Sequence, residues 1–161
     1  MTQEEALALV FGSQTSAKRE TAFLTAEQAG EAERLSGGKV ESRVVTYYTG
    51  DKTGGGPVTV YFDTHIVRTL PETIMIVVDA KNTIARIDIL SFSEPQEYLP
   101  KDRWVAQLNG RGLSEDLSLK RGIRPMTGAT LSARAIVEAS RRVLAIHRIL
   151  HPAPGGTGGK P

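Results

Sequence analysis

The chain has no cysteine among its 161 residues. This removes thiolate nucleophiles, iron–sulfur clusters and cysteine–zinc sites, and a chain of this length needs no disulfide staple to bury a core. Aromatic residues are scarce, at 6%, and Trp104 is the only one beyond residue 100. A platform that stacks the bases of single-stranded nucleic acid is therefore not expected. Long apolar runs are missing too. The central aliphatic run Ile74-Met75-Ile76-Val77-Val78 falls far short of the ~20 residues that span a bilayer, so no transmembrane segment is expected. The acidic start Met1-Thr2-Gln3-Glu4-Glu5 lacks the basic and apolar regions of a signal peptide. Gly54-Gly55-Gly56 has no following Lys-Ser/Thr and is not a P-loop. Ser91 and Ser93 with His65 lack a nucleophile-elbow pattern. His147 and His151 find no third ligand, so no metal site is expected.

What is present is unevenly distributed. The formal charge is +2, but residues 1–100 carry a net −5 and residues 101–161 a net +7. The basic third suits either an anionic ligand or a solvated surface. Residues 3–11 have helical apolar spacing. Thr25 with Gln28 reads as a capping box, opening a helix that stops at Gly37-Gly38. Strands are expected over 43–49, 58–62, 73–78 and 83–92, joined by tight turns, which indicates an antiparallel sheet. In the first of the two hairpins, Val58, Val60 and Phe62 alternate with Thr59 and Tyr61 as a half-buried strand. In the last strand Ala85, Ile87 and Ile89 share a face. Residues 93–128 read as an irregular stretch with a short helix near 102–107, and such stretches are often functional. Ser132 is the expected N-cap of a final helix to about Leu150. Ile136, Ala139, Val143, Ile146 and Leu150 form its apolar stripe, with Arg134, Glu138, Arg141 and Arg148 off it. Pro152 ends that helix, and residues 152–161 are expected to be a disordered tail.

Chemistry concentrates at Thr127-Gly128-Ala129-Thr130-Leu131-Ser132-Ala133. Small residues admit a ligand to the backbone, and a helix N-terminus seats a phosphate. The same residues also suit a plain turn with a serine cap. This segment resembles the Ser/Thr-Gly-Ala-Thr-x-Ser/Thr signature of covalent FMN-binding domains, which include the flavin-carrying subunits of the Rnf complex and of the sodium-translocating NADH:quinone reductase. Segments 64–72 and 92–100 are similar to a subgroup of stand-alone FMN-binding proteins. The resemblance spans residues 40–150.

The resemblance implies an α+β fold, with N-terminal helices, an antiparallel β-sheet and a C-terminal amphipathic helix following the flavin-attachment motif. It divides the chain into a helical part over 1–38, an FMN-binding domain over 39–151 and the tail over 152–161. FMN is the implied cofactor. A flavin transferase, using FAD and Mg²⁺, would esterify it through its phosphate to Thr130. Thr127, Gly128, Ala129, Leu131 and Ser132 complete the motif. Glu94 and Pro95 occupy the place of the family's flavin-contact loop. Tyr98 and Trp104 suit either ring cover or packing. Glu94 suits either a place near the ring or a cap on loop N–H groups. His65 suits a structural hydrogen bond or a proton carrier, and Arg68 an ion pair with Glu72 or a phosphate contact. Arg121, Arg124 and Arg134 could face the phosphate. Arg124 stands where the family usually has an acidic residue, which leaves open non-covalent FMN or a flavin-free scaffold. The implied partners are the transferase and redox proteins, some membrane-bound, and no nucleic acid. The implied setting is extracytoplasmic (periplasmic), with a cytoplasmic one as the alternative.

Overall fold

A computed structural model describes residues 1–12 and 17–151. Its elements are α1 (Gln3–Phe11), β1 (Lys18–Phe23), α2 (Ala26–Ser36), β2 (Val44–Asp51), β3 (Pro57–Ile66), β4 (Pro71–Asp79), β5 (Ile84–Phe92), α3 (Asp102–Val105) and α4 (Thr130–Leu150). The five strands form one antiparallel sheet in chain order, β1-β2-β3-β4-β5. The fold is therefore α+β, with helices at the N-terminus and α4 at the end. The tail over 152–161 lies outside the described residues.

Two helices begin with complete capping boxes. Thr2 and Glu5 exchange hydrogen bonds at the start of α1, and Thr25 and Gln28 do so at the start of α2. Each box satisfies two N–H groups that the helix cannot. Gly37 ends α2 in the left-handed region.

The sheet is covered on both faces. On one side Ile74, Ile76, Val78, Ile84, Ile136 and Val143 form the main core beneath α4. On the other, Ala6, Val10 and Phe11 of α1 close over Val58, Val60, Met75 and Val77. β3 is consequently buried on both sides from Val58 to Tyr61, rather than half-buried as its alternation suggests. The continuous apolar run of β4 has the same cause.

One strand is added and two further expectations are corrected. Lys18–Phe23 is a strand that its sequence conceals, because an exposed edge strand carries charge instead of an apolar face. Ala85 does not share the face of Ile87 and Ile89. Register shifts in the β4–β5 pairing turn Ala85 and Leu90 toward α1, as β-bulges do. Ser132 does not cap α4. The helix starts three residues earlier, at Thr130, with Ala129 as N-cap and no side-chain cap bond.

Arg141, off the apolar stripe by periodicity, is half-buried. Its guanidinium donates to the carbonyls of Ser36 at 2.8 Å, Ser114 at 2.7 Å, Leu117 at 3.2 Å and Leu35 at 3.3 Å. It ties α2, α4 and the 114–117 loop together.

Candidate functional site

The N-terminus of α4 is the only one of the three long described helices left without a side-chain cap. Gly128 has φ +80°, a region closed to most side chains. It shapes a turn in which the Ala129 N–H donates to the Met126 carbonyl at 3.1 Å. The first α-helical bond runs from the Ala133 N–H to the Ala129 carbonyl, so the N–H groups of Thr130, Leu131 and Ser132 precede the helical ladder. Thr127, Gly128, Thr130 and Leu131 are exposed, while Ala129 and Ser132 are buried. The Ser132 hydroxyl is buried and has no hydrogen-bond partner, which is costly unless a ligand supplies one.

Thr130 opens into a cavity of about 550 Å³, within the range of small-molecule sites. Arg134, Val137, Leu117, Leu119, Lys120, Arg121 and Pro125 line it. Arg134 stands one turn beyond Thr130 on the same helix face. Arg121 is exposed and pairs with Glu115 at 2.7 Å.

The cavity wall is an irregular loop fixed by tertiary bonds. Arg111 donates to the Gln107 carbonyl and, at 3.0 Å, to the Gly122 carbonyl. A Cβ on Gly122 would lie 2.3 Å from the Asp116 carbonyl oxygen, so only glycine fits there. The Trp104 indole N–H donates to the Arg124 carbonyl at 2.7 Å, and the Arg124 N–H donates to Gln107 Oε1 at 2.8 Å. The Arg124 backbone is thereby pinned while its side chain stays exposed.

The remaining candidates lie apart from this cavity's lining. Glu94 is buried, and one carboxylate oxygen accepts the N–H groups of Arg68, Thr69 and Leu70 at 2.8–2.9 Å. Those donors hold its carboxyl below the usual range. It caps the β3–β4 turn. Pro95 is exposed beside it. Arg68 does not pair with Glu72; its guanidinium lies 4.4 Å from the centroid of the half-buried Tyr98 ring, a cation–π contact. Trp104 is buried in the main core.

His65 bridges two carboxylates, with Nδ1 2.8 Å from Asp63 and Nε2 2.7 Å from the fully buried Glu72. Burial alone would lower the imidazole. The two carboxylates outweigh it and raise the pKa to about 9. Asp63 also meets Arg142 of α4 at 2.6 Å.

At the other end of α4, sequence reasoning missed a second cluster. Tyr61 Oη lies 2.7 Å from His147 Nδ1. His151 packs on both His147 and Tyr47. Burial first, and His151 second, lower the His147 pKa to about 4. The i, i+4 spacing of the histidines was the available signal; nothing in the sequence pointed to the tyrosines.

An exposed threonine hydroxyl, free helical N–H groups, an unpartnered buried hydroxyl and nearby guanidinium groups fit a phosphate ester. Residues 70–145 match the family model described as the FMN-binding domain. The matched segment runs from the start of β4 through most of α4 and contains Thr130. Over these residues, just under half of the chain, the sequence is similar to the FMN-binding domain family. FMN is the cofactor this domain indicates, which makes the protein a flavin-binding module. No curated protein and no solved structure matches the chain.

Proposed function

We propose that this protein is an electron-transfer module whose FMN is esterified through its phosphate to Thr130. The observation that carries the reading is the exposed Thr130 at the uncapped start of α4, inside Thr-Gly-Ala-Thr. An unactivated threonine is a poor nucleophile, so a flavin transferase must act on it. Thr130 Oγ gains the FMN phosphoryl group of FAD, the pyrophosphate bond breaks, AMP leaves, and the hydroxyl proton passes to a base on the transferase. The first-turn N–H groups, Ser132 Oγ and Arg134 are the residues that would hold the phosphate. The bound flavin supplies the redox chemistry, and this chain positions it for partner proteins instead of turning over a small substrate. The same reading puts the domain on the extracytoplasmic side of a membrane, beside membrane-bound redox partners. Fractionation of host cells checks that part.

The test is co-expression with a flavin transferase, followed by acid denaturation. The expected result is in-gel flavin fluorescence and a mass increase of FMN minus water, both lost in Thr130→Val. A colourless protein of unmodified mass overturns the covalent reading. Arg124, an exposed cation near the motif in place of an acidic residue, favours a second reading of non-covalent FMN. Its mark is flavin present in the native protein and released on denaturation.

A further inference from the structure

The sheet splits between β2 and β3. Their ladder ends at the Tyr47–Tyr61 pair. Beyond it, β2 stays paired with β1 as far as Val44–Phe23, and β3 stays paired with β4 as far as Ile66–Pro71. The two strands diverge around a cavity of about 690 Å³. The hairpin-turn bonds Lys52 N–H to Gly56 carbonyl and Val67 N–H to Leu70 carbonyl fix the strand alternation. Even-numbered residues of β2 and β3 turn their backbone groups toward each other. In the fork these are Val44 and Thr46 on one side, Phe62 and Thr64 on the other. Ser42 Oγ takes both the N–H and the carbonyl of Val44 at 3.2 Å. The N–H and carbonyl of Thr64 have no protein partner among the described residues.

We propose that this fork is a docking slot for an extended segment of a partner polypeptide, which adds its backbone to the free edge of β3 at Thr64. Three observations favour that occupant. Strand edges offer alternating donors and acceptors, which a peptide backbone complements. The half-buried charged groups on the fork wall, Asp63, His65 and Arg142, are already paired with one another, so a neutral occupant fits better than an ion. Val143 and Ile146 of α4 also line the slot. Val44 and Ile66, which also line it, are exposed at 52% and 58%, apolar surface of the kind that marks an interaction site. The chain's own segment 152–161, Pro- and Gly-rich, has a composition that strands avoid. The proposal stands independently of flavin attachment. Glu138 lines both this slot and the Thr130 cavity, so, on the reading above, a docked partner would sit beside the flavin.

The probe is the capped pentapeptide Ac-Val-Thr-Val-Thr-Val-NH₂, titrated to millimolar concentration into ¹⁵N-labelled protein. The expected result is saturable shifts confined to residues 44–46 and 62–66, with Thr64 amide exchange slowed about tenfold. The same peptide N-methylated at alternate amides should bind much more weakly. The proposal is overturned by shifts that do not saturate, by shifts spread over the surface, or by equal binding of the N-methylated peptide. Concentration-dependent shifts of the same residues without peptide would mean that a second copy fills the slot, which also overturns it.

Discussion

His147 and Thr130 stand at opposite ends of one helix and meet opposite conditions. His147 is buried, bonded to Tyr61 and stacked against His151. Thr130 is exposed, its helix end has no side-chain cap, and the nearest buried hydroxyl, Ser132, has no partner. The middle of the helix explains how both ends coexist. Ile136, Ala139, Val143 and Leu144 are nearly or fully buried against the sheet, and Arg141 and Arg142 bind α2, the 114–117 loop and β3. With orientation secured there, the first turn can stay unsatisfied without unravelling the helix.

The largest test of that contrast removes the secured middle. Ile136→Ala deletes a fully buried side chain and should cost about 2–5 kcal/mol in urea unfolding. A loss under about 1 kcal/mol would show that α4 is held by its polar ties instead. Next comes the satisfied end. Tyr61→Phe leaves buried His147 Nδ1 without its partner and should cost about 1–3 kcal/mol, also read in urea. His147 adds a pH dependence. Its pKa is depressed to about 4, so its contribution to stability is complete above about 6.5 and is lost as pH falls toward 4. His147→Gln should flatten that acid limb.

His65 has the opposite sign. Its pKa is raised to about 9, so its contribution is complete below about 6.5 and disappears as pH rises through 9. His65→Gln should remove the alkaline fall in Tm between those values. The smallest effect belongs to the open end. Ser132→Ala removes a hydroxyl with no partner and should change the stability of the flavin-free protein by less than about 1 kcal/mol. If the hydroxyl serves a phosphate, the same variant should slow flavin attachment measured by intact mass. A stability loss as large as that of Tyr61→Phe would mean the two ends do not differ in this way.

What could be read from the sequence follows from the range of the forces involved. The α2 capping box and the apolar stripe of α4 are local, and both stand where Thr25, Gln28 and the 3,4 spacing put them. The matching box of α1, Thr2 with Glu5, carried the same signal and was missed. β1 was hidden because an edge strand such as Lys18–Phe23 needs no apolar pattern. Ser132 looked like a cap because serine before an apolar stripe usually is one; Gly128 and Ala129 start the helix earlier. The Thr-Gly-Ala-Thr segment was legible as a motif. The settings of Glu94, Tyr98 and Trp104 were not, since each is decided by partners 20 to 30 positions away in sequence. Glu94 meets Arg68, Thr69 and Leu70, and Trp104 meets Arg124. The fork between β2 and β3 leaves no trace in the residue pattern, because Val44–Thr46 and Phe62–Ile66 are ordinary strand sequences.

The guanidinium of Arg141 has a practical consequence for anyone who would trim this protein. The family match begins at residue 70, which invites a minimal fragment from there onward. Yet two of the four carbonyls that Arg141 grips belong to Leu35 and Ser36, far upstream of that cut. A fragment starting at residue 70 would keep the motif and lose the clasp, exposing a half-buried cation and the helix face it steadies. The first 69 residues are therefore a brace for the attachment helix, and a shortened version should be drawn around that brace.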